Sequence, residues 1–245
     1  MIADSNKKQA AIVTGASSGI GLGITKALLE YGYRVVANSR SISKSQDLKP
    51  SADLVLVDGD IGTKDTAIRV VDAAIKHFSR VDLLVNNAGI YMPKPFTEYT
   101  PEDFAVMIGT NVAGYFFVTQ QAVTQMRKQK FGHVVSISTV LTDQPLAGAP
   151  ISLPVITKST IPAFSRALAM EYVADGIRVN TISPGIVDTP MNANVDHEVL
   201  KKLSPARRLV HISEIVDALL FLQSASMVNG ENIRIDGGAH AGAKW

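Results

Sequence analysis

One stretch near the beginning of the chain decides its fold: Thr14-Gly15-Ala16-Ser17-Ser18-Gly19-Ile20-Gly21. A short apolar run at residues 10–13 precedes it, and a helical repeat of apolar side chains at residues 20–31 follows it directly. A glycine-rich turn between a strand and a helix lets the backbone approach a phosphate, and the positive end of the helix dipole favours that anion. The glycine spacing is not the common Gly-x-Gly-x-x-Gly fingerprint, so the prediction of a dinucleotide site depends on the strand-turn-helix context. A purely structural turn is the alternative.

The rest of the chain alternates between short apolar runs and stretches with helical spacing. Six further runs are rich in β-branched residues: 34–38, 54–57, 83–86, 133–137, 177–183 and 232–235. Most lack polar alternation, as strands covered on both faces do, and the stretches between them repeat apolar residues at three and four positions. We therefore predict an α/β fold: a doubly wound, Rossmann-like parallel sheet of about seven strands with helices on both faces, in a single domain over residues 1–245.

Composition excludes several classes of protein. The chain contains no cysteine, which removes disulfide scaffolds, thiolate metal sites and cysteine nucleophiles, and we expect no metal. A formal charge of +2 is too small for the usual footprint of nucleic-acid binding. Residues 1–8 lack the apolar core of a signal peptide, and no apolar run approaches the ~18 residues of a membrane span. We expect a soluble cytoplasmic protein that binds neither nucleic acid nor membrane, although a reducing cytosol does not follow from the missing cysteines.

Several motifs occur in a fixed order along the chain. They are the glycine turn at residues 14–21, Asn86-Asn87-Ala88-Gly89, Asn111 within a helix, Ser183-Pro184-Gly185 with Thr189, and Asp236-Gly237-Gly238. Together they resemble the short-chain dehydrogenase/reductase family over essentially the whole length. The resemblance implies hydride transfer between a nicotinamide cofactor and a small carbonyl or alcohol substrate. It also implies a homo-dimer or homo-tetramer that pairs the helices following Asn111 and Lys158.

The end of the second strand bears on which nicotinamide cofactor is bound. A carboxylate there selects a free ribose 2′-hydroxyl, but the sequence reads Ala37-Asn38-Ser39-Arg40, without an acid. Arg40 can pair with a 2′-phosphate, so we predict NADP(H) rather than NAD(H), with a solvated surface charge as the alternative. The resemblance assigns the cofactor contacts to Gly15, Ser17, Ser18, Ile20, Gly21, Ser39, Arg40, Asp60, Ile61, Asn87, Ala88, Gly89, Lys158, Pro184, Gly185, Val187 and Thr189.

The catalytic positions depart from the family pattern. Family members use a tyrosine as proton donor four residues before a lysine, and a serine about thirteen residues upstream of that tyrosine orients the substrate oxygen. Lys158 fits the lysine, but four residues before it stands Pro154, which can donate no proton. The serine position falls on Thr139, preceded by Ser138. Neighbours on a strand point to opposite sides, so we favour Thr139 as the residue facing the substrate, within a catalytic set of Asn111, Ser138, Thr139 and Lys158.

Two prolines bear on the helix that carries Lys158. Pro154 suits the first turn of a helix, where its missing N–H has no partner in any case. Pro162 lies further along, removes one backbone hydrogen bond and crowds the carbonyl of Lys158, so we expect a kink just beyond the lysine. The least regular stretch, residues 187–209, is either a mobile lid over the site or an ordinary surface excursion.

The sequence is compatible with several proton donors and several reactions. Tyr91, Asp143 and His197 are candidates to replace the tyrosine, but none has a spacing that requires the role. Lys158 itself, or a water held by Asn111 and Lys158, is another source of the proton. We consider an NADP(H)-dependent oxidoreductase with an altered proton relay, a non-redox enzyme on the same scaffold, and a cofactor-binding sensor or partner without turnover. The substrate is expected to be a small organic molecule.

Overall fold

A computed structural model describes residues 8–242 of the chain, so the expectation for residues 1–8 lies, apart from Lys8, outside the described residues. Seven strands form where the sequence predicts them: Ala10–Thr14 (β1), Arg34–Ser39 (β2), Leu54–Asp58 (β3), Leu83–Asn86 (β4), Gly132–Ile137 (β5), Ile177–Pro184 (β6) and Asn232–Ile235 (β7). The α-helices are Gly19–Glu30 (α1), Lys64–Phe78 (α2), Pro101–Ile108 (α3), Tyr115–Gln129 (α4), Ser152–Glu171 (α5), His197–Lys202 (α6) and Ile212–Ser224 (α7). A π-helical turn, Gly109–Gly114, joins α3 to α4.

The strands form one parallel sheet in the order β3-β2-β1-β4-β5-β6-β7. The succession of strands therefore runs outward in one direction from β1 and in the other from β4. In open α/β sheets, ligands bind outside the carboxyl ends of the strands at such a reversal. The predicted doubly wound, Rossmann-like fold is confirmed.

Two apolar layers hold the helices on the faces of the sheet. On one face, Ile24 of α1 and Ile215 of α7 are fully buried in a cluster with Val13 of β1. On the other face, Val70 of α2 and Val118 of α4 are fully buried in a second cluster, which includes strand residues such as Ile12 and Leu84. Alternate residues of β1 thus enter opposite layers, which is why its sequence carries no polar alternation.

One sheet accommodates all the strands that residues 8–242 form, which is the arrangement expected of a single domain. The domain assignment over the full 1–245 stays a prediction. In this described part of the chain, no helix combines the length and the apolar character that crossing a membrane would require.

The irregular stretch after β6 is anchored where it begins and ends. Val187 forms a parallel bridge with Val210, and the N–H of Val210 donates to the carbonyl of Ile186 at 2.8 Å. Between these ends lie a short helical turn, Pro190–Asn192, and the helix α6. The stretch is therefore a loop closed at its base that carries structure of its own.

Candidate functional site

The glycine turn leaves the amino end of α1 open to a ligand. Gly15 has a φ of +65°, in the left-handed region, and a Cβ on Gly21 would collide with the carbonyl oxygen of Gly15. Ser18 precedes the helix without capping it by a side-chain hydrogen bond, and the first turn contains no acidic residue. The free N–H groups and the positive helix dipole are therefore available to an anion. This cradle fits a dinucleotide phosphate.

The turn is braced by the loop that follows β4. The side chain of Asn87 donates to the carbonyls of Thr14 at 3.0 Å and Gly15 at 3.2 Å. In return, the hydroxyl of Thr14 accepts from the N–H groups of Asn87 and Ala88, each at 3.1 Å. Asn87 thus fixes the shape of the phosphate turn, and Thr14, which sequence analysis left unassigned, is its partner. Ser17 lies exposed in the same turn, and Ile20 packs against the core behind it.

The end of β2 supports a site for the adenosine half of the cofactor. Arg40 is exposed there, directly after Ser39, and within residues 8–242 no carboxylate pairs with it. Strand register places Asp58 opposite Ser39, a carboxylate that reasoning on β2 alone missed. Both oxygens of Asp58 accept hydrogen bonds from Ser43, one from its N–H at 2.8 Å and one from its hydroxyl at 2.5 Å. These hydrogen bonds lower the pKa of Asp58.

Two of the predicted cofactor contacts, Asp60 and Ile61, lie after β3. Asp60 accepts a hydrogen bond from the N–H of Gly62 at 2.9 Å and is exposed, whereas Ile61 is buried beneath the turn. Asp60 therefore shapes the loop, and Ile61 belongs to the apolar layer on which the loop rests.

Asn111 is buried in the π-helical turn, and both polar groups of its side chain form hydrogen bonds. Its oxygen accepts from the N–H of Ile90 at 2.8 Å, while its amide donates to the carbonyl of Ile90 at 3.0 Å and to the hydroxyl of Thr157 at 3.0 Å. Thr157 in turn donates to the carbonyl of Pro154 at 3.0 Å. Asn111 therefore ties the segment after β4 to the first turns of α5, and Thr157 is a second residue that the sequence did not reveal.

Lys158 projects from α5 to the same point as Asn111. Its ammonium donates to the carbonyl of Ile137 at 2.9 Å. A Cβ on Gly89 would lie 2.9 Å from Lys158 Nζ and 3.2 Å from the side-chain oxygen of Asn111, so these groups converge on the Gly89 backbone. Burial lowers the pKa of Lys158 to about 8, because an ammonium loses hydration there and no carboxylate among residues 8–242 pairs with it. An ammonium with three N–H donors and one protein acceptor retains donors for a ligand.

The structure separates the roles of Ser138 and Thr139. The hydroxyl of Ser138 donates to the main-chain carbonyl of Lys158 at 3.1 Å. The hydroxyl of Thr139 accepts from the N–H of Leu141 at 3.3 Å, and its own hydrogen has no acceptor among residues 8–242. Of the two hydroxyls, Thr139 therefore remains able to donate to a substrate oxygen. The place of Ser138 in the catalytic set stays a prediction, and its hydroxyl hydrogen is used within the fold.

Pro154 lies in the first turn of α5, as its structural interpretation predicts, and is buried. The helix continues through Pro162 to Glu171 in spite of the missing N–H at residue 162. That N–H would bond to the carbonyl of Lys158, four residues earlier, and this is the carbonyl that Ser138 serves instead. The side chain of Ser138 thus replaces a backbone hydrogen bond of α5.

The segment after β6 reaches back to the glycine turn. Pro184 ends β6, and Gly185 follows it so closely against β7 that a Cβ would lie 3.1 Å from Asp236 Cα. Val187 is buried, and its carbonyl accepts from Asn192 at 2.8 Å. A Cβ on Gly19 would lie 3.4 Å from the methyl group of Thr189. The structure therefore brings the predicted cofactor contact Thr189 next to the predicted phosphate site.

A shallow cleft opens beside these residues. Its walls are mainly apolar: Val140, Leu141, Gln144, Leu146, Gly185, Ile186, Leu203, Ser204, Asp236 and Ala239. Two of these residues follow Thr139 directly and two follow Pro184, so the cleft adjoins both candidate segments. Leu141 and Leu146 line the cleft, whereas Ile151 and Leu153 are buried outside its walls and Tyr91 and Met191 are exposed outside them.

The three candidate replacements for the tyrosine lie in different settings. Tyr91 is exposed, and partial burial raises its pKa, which disfavours proton transfer near neutrality. Asp143 accepts from Arg234 at 2.8 Å, so its charge is already paired. His197 starts α6 within the loop after β6. In the described part of the chain, no three His, Asp or Glu side chains are grouped to hold a metal ion.

Comparison with known proteins identifies the family. The family model described as Enoyl-(Acyl carrier protein) reductase matches residues 15–240. An acetoacetyl-CoA reductase from Acinetobacter sp. is 33% identical over 249 residues, which cover 96% of this chain and 99% of the relative. The chain therefore belongs to the short-chain dehydrogenase/reductase family of oxidoreductases.

Solved structures agree with the assignment. A 3-ketoacyl-(acyl-carrier-protein) reductase from Brucella melitensis, in complex with NADH, is 25% identical with a TM-score of 0.87 and covers 96% of this chain and 99% of its own. A gluconate 5-dehydrogenase from Burkholderia cenocepacia J2315, in complex with NADP and tartrate, is 26% identical with a TM-score of 0.88 and covers 97% of both chains. Because one complex holds NADH and the other NADP, the choice of cofactor rests on this chain's own residues.

Proposed function

We propose that the chain is an NADP(H)-dependent oxidoreductase that interconverts a small carbonyl compound and its alcohol, with Lys158 as the proton donor in place of the family's tyrosine. The observation that carries the proposal is the position of the Lys158 ammonium. It lies at the point where Asn111, Gly89 and the end of β5 meet, and its acceptor, the carbonyl of Ile137, is two residues before Thr139 in the chain. Pro154, at the family's tyrosine position, has no proton to give.

The cofactor side of the proposal is supported by the residues that would hold it. The open amino end of α1 suits the diphosphate, and Arg40 suits a 2′-phosphate because its guanidinium is exposed and unpaired among the described residues. When bound, the nicotinamide supplies or accepts the hydride. Thr14 and Asn87 keep the turn in the shape that the phosphates require.

The protein's own groups handle the proton and the oxygen. The free hydroxyl hydrogen of Thr139 donates to the carbonyl oxygen and orients it. As negative charge develops on that oxygen during reduction, one N–H of the Lys158 ammonium passes its proton to it, which gives the alcohol and a neutral amine. The amine then takes a proton from water. A pKa of about 8 suits this task, because the ammonium is still protonated at neutral pH but is a stronger acid than an ordinary lysine.

The decisive experiment follows reduced-nicotinamide absorbance with purified protein, NADPH and a panel of ketones, aldehydes and quinones. We expect slow turnover, because loss of an optimal general acid typically costs roughly 10²–10⁴-fold. Thr139→Ser should retain activity while Thr139→Val and Lys158→Ala lose most of it. If turnover persists in Thr139→Val and in Lys158→Ala, neither residue takes part in the mechanism.

A variant that restores the tyrosine provides the opposing test. If Pro154→Tyr alone has activity, while the native chain binds NADPH without oxidising it, the native protein is not a reductase. Binding is measured separately by the fluorescence of NADPH, so that a misfolded variant is not mistaken for an inactive one.

We further propose that the chain forms a homo-dimer or homo-tetramer through α4 and α5. The support is a set of apolar side chains exposed on these helices, among them Phe116, Ile156 and Met170. Isolated exposed apolar residues are common, but a group on adjacent helices is typical of an interface. Light scattering coupled to gel filtration tests the proposal, and Phe116→Glu should shift the mass towards the monomer.

A further inference from the structure

The walls of the cleft carry little charge, and the charge they do carry is negative. Its lining contains no lysine or arginine, and its neutral polar groups come from Gln144 and Ser204. The carboxylate of Asp236 accepts from the N–H of Gly238 at 2.9 Å and from the N–H and imidazole of His240, each at 2.8 Å. Burial alone would raise the pKa of Asp236, but these hydrogen bonds outweigh it and lower the pKa, so the group is ionised at neutral pH.

One cation lies on a segment that contributes to the cleft. Arg234 of β7 is two residues before the lining residue Asp236, which follows the strand. Its guanidinium donates to Asp143 at 2.8 Å and to the carbonyl of Asn232 at 2.9 Å. Asp143 immediately precedes Gln144, a lining residue of the loop after β5. Asp143 therefore already binds the guanidinium that would otherwise attract an anionic substrate.

We propose that Asp143 is a specificity-determining residue: by holding Arg234 it restricts the cleft to uncharged carbonyl compounds with an apolar substituent and excludes those that carry a carboxylate. The proposal rests on the proposed function only in taking the cleft as the substrate's binding place. Both side chains are about a third exposed, so neither charge is buried. Removing the carboxylate therefore frees the guanidinium rather than leaving a buried charge.

The test measures equilibrium binding of a matched pair of ligands, levulinate and its neutral ethyl ester, by ligand-observed NMR on the full chain without cofactor. The native chain should bind the ester more tightly than the acid. In Asp143→Asn, affinity for levulinate should rise by about tenfold, the effect of one charge-assisted hydrogen bond at a part-exposed site, while affinity for the ester stays the same. The double variant Asp143→Asn with Arg234→Gln should lose that gain.

A matched control removes a carboxylate from an ion pair elsewhere. Asp47 pairs with Lys26 at 2.8 Å on the outside of α1, and Asp47→Asn should leave both affinities unchanged. If Asp143→Asn binds levulinate no better than the native chain does, or if the gain persists without Arg234, the proposal is wrong. Because binding is read without turnover, an inactive chain that still shows the gain overturns only the reductase function. An active chain that shows no gain overturns only the role of Asp143.

Discussion

The hydroxyl of Ser138 donates to the main-chain carbonyl of Lys158 at 3.1 Å, on the helix acceptor that Pro162 leaves without a backbone N–H. Strand β5 and helix α5 are thereby joined at the residue that carries the proposed proton donor. The same lysine also reaches back to β5 through its ammonium and Ile137. Lys158 is thus held at both its backbone and its side chain by consecutive residues of one strand end.

Ser138 and Pro162 should be energetically coupled. We expect Ser138→Ala to lower the free energy of unfolding by about 1–2 kcal/mol, since it leaves the Lys158 carbonyl unserved. Pro162→Ala restores a backbone N–H that can donate to that carbonyl. In the Pro162→Ala variant, Ser138→Ala should therefore lower the free energy of unfolding by less than half as much. Urea unfolding of the two single variants and the double variant measures the coupling.

A neighbouring serine offers the control. Ser136 is fully buried two residues earlier on β5, and its hydroxyl makes no hydrogen bond among residues 8–242. Ser136→Ala should therefore cost little or nothing. If the effects of Ser138→Ala and Pro162→Ala on the free energy of unfolding are additive, the hydroxyl of Ser138 does not replace the missing backbone hydrogen bond.

The rate of carbonyl reduction should fall as the pH rises through about 8. Burial lowers the pKa of Lys158 to about 8, and the protonated form is the donor, so activity is complete below that pH and lost above it. In the oxidative direction the neutral amine is the acceptor, so the rate should rise over the same range. Measurements of kcat at saturating cofactor, from about pH 6 to 10, give both profiles.

Lys158→Arg provides the comparison for the pH profile. Arginine keeps its charge throughout this range, so the variant should lose the descending limb together with most of its rate. A native profile that is flat from about pH 6 to 10 would assign the proton to another group.

Arg40 should determine the preference for the phosphorylated cofactor. Arg40→Ala is expected to weaken NADPH binding by roughly ten- to a hundredfold, the value of a charge-assisted contact, and to leave NADH binding unchanged. Arg127→Ala removes an arginine from α4, where it pairs with Asp175, and should alter neither affinity. Equal affinities for NADH and NADPH in the native chain would contradict the assignment.

Folding stability should decline on mild acidification because of His133. This side chain is buried on β5 between Asn180 at 2.9 Å and Gln223 at 2.7 Å, and burial, with the charge of Arg178, lowers its pKa well below 6.5. Below about pH 6.5 the unfolded chain binds a proton that the folded chain does not, so stability falls by up to about 1.4 kcal/mol per pH unit. Above that pH the loss disappears.

The pH dependence is measured by urea unfolding between about pH 5 and 7. His133→Gln should be less stable at pH 7 but should show a smaller loss on acidification. The exposed His77 of α2 is the control, and His77→Gln should follow the native curve. A His133→Gln curve parallel to the native one would place the acid sensitivity elsewhere.

The sequence predicts the frame of this molecule well. All seven strands occur within a residue or two of their predicted positions, because each is an apolar run bounded by turns. The glycine turn and Asn111 also lie at the expected edge of the sheet, since parallel strands deliver their carboxyl ends to one side. A strand or a turn can be predicted from a short sequence pattern, because the residues that determine it are neighbours in the chain.

The sequence does not predict contacts between distant residues. Asp143 and Arg234 are 91 positions apart, and nothing in either segment marks the other as its partner. The structural use of Ser138 depends on a carbonyl that Pro162 leaves open on another element, and Thr157 is recognised only through Asn111. Asp58 was missed for the same reason, because its position beside Ser39 is a matter of strand register.

The excursion after β6 touches two regions at once. Thr189 lies against Gly19 of the phosphate turn, and Leu203, further along the same excursion, forms part of the cleft wall. If binding at one region shifts this segment, the two occupancies are thermodynamically linked: whatever factor the cofactor contributes to the affinity for substrate, the substrate must return to the cofactor. Each ligand is then an effector of the other, and isotherms measured for one at increasing concentrations of the other should shift reciprocally.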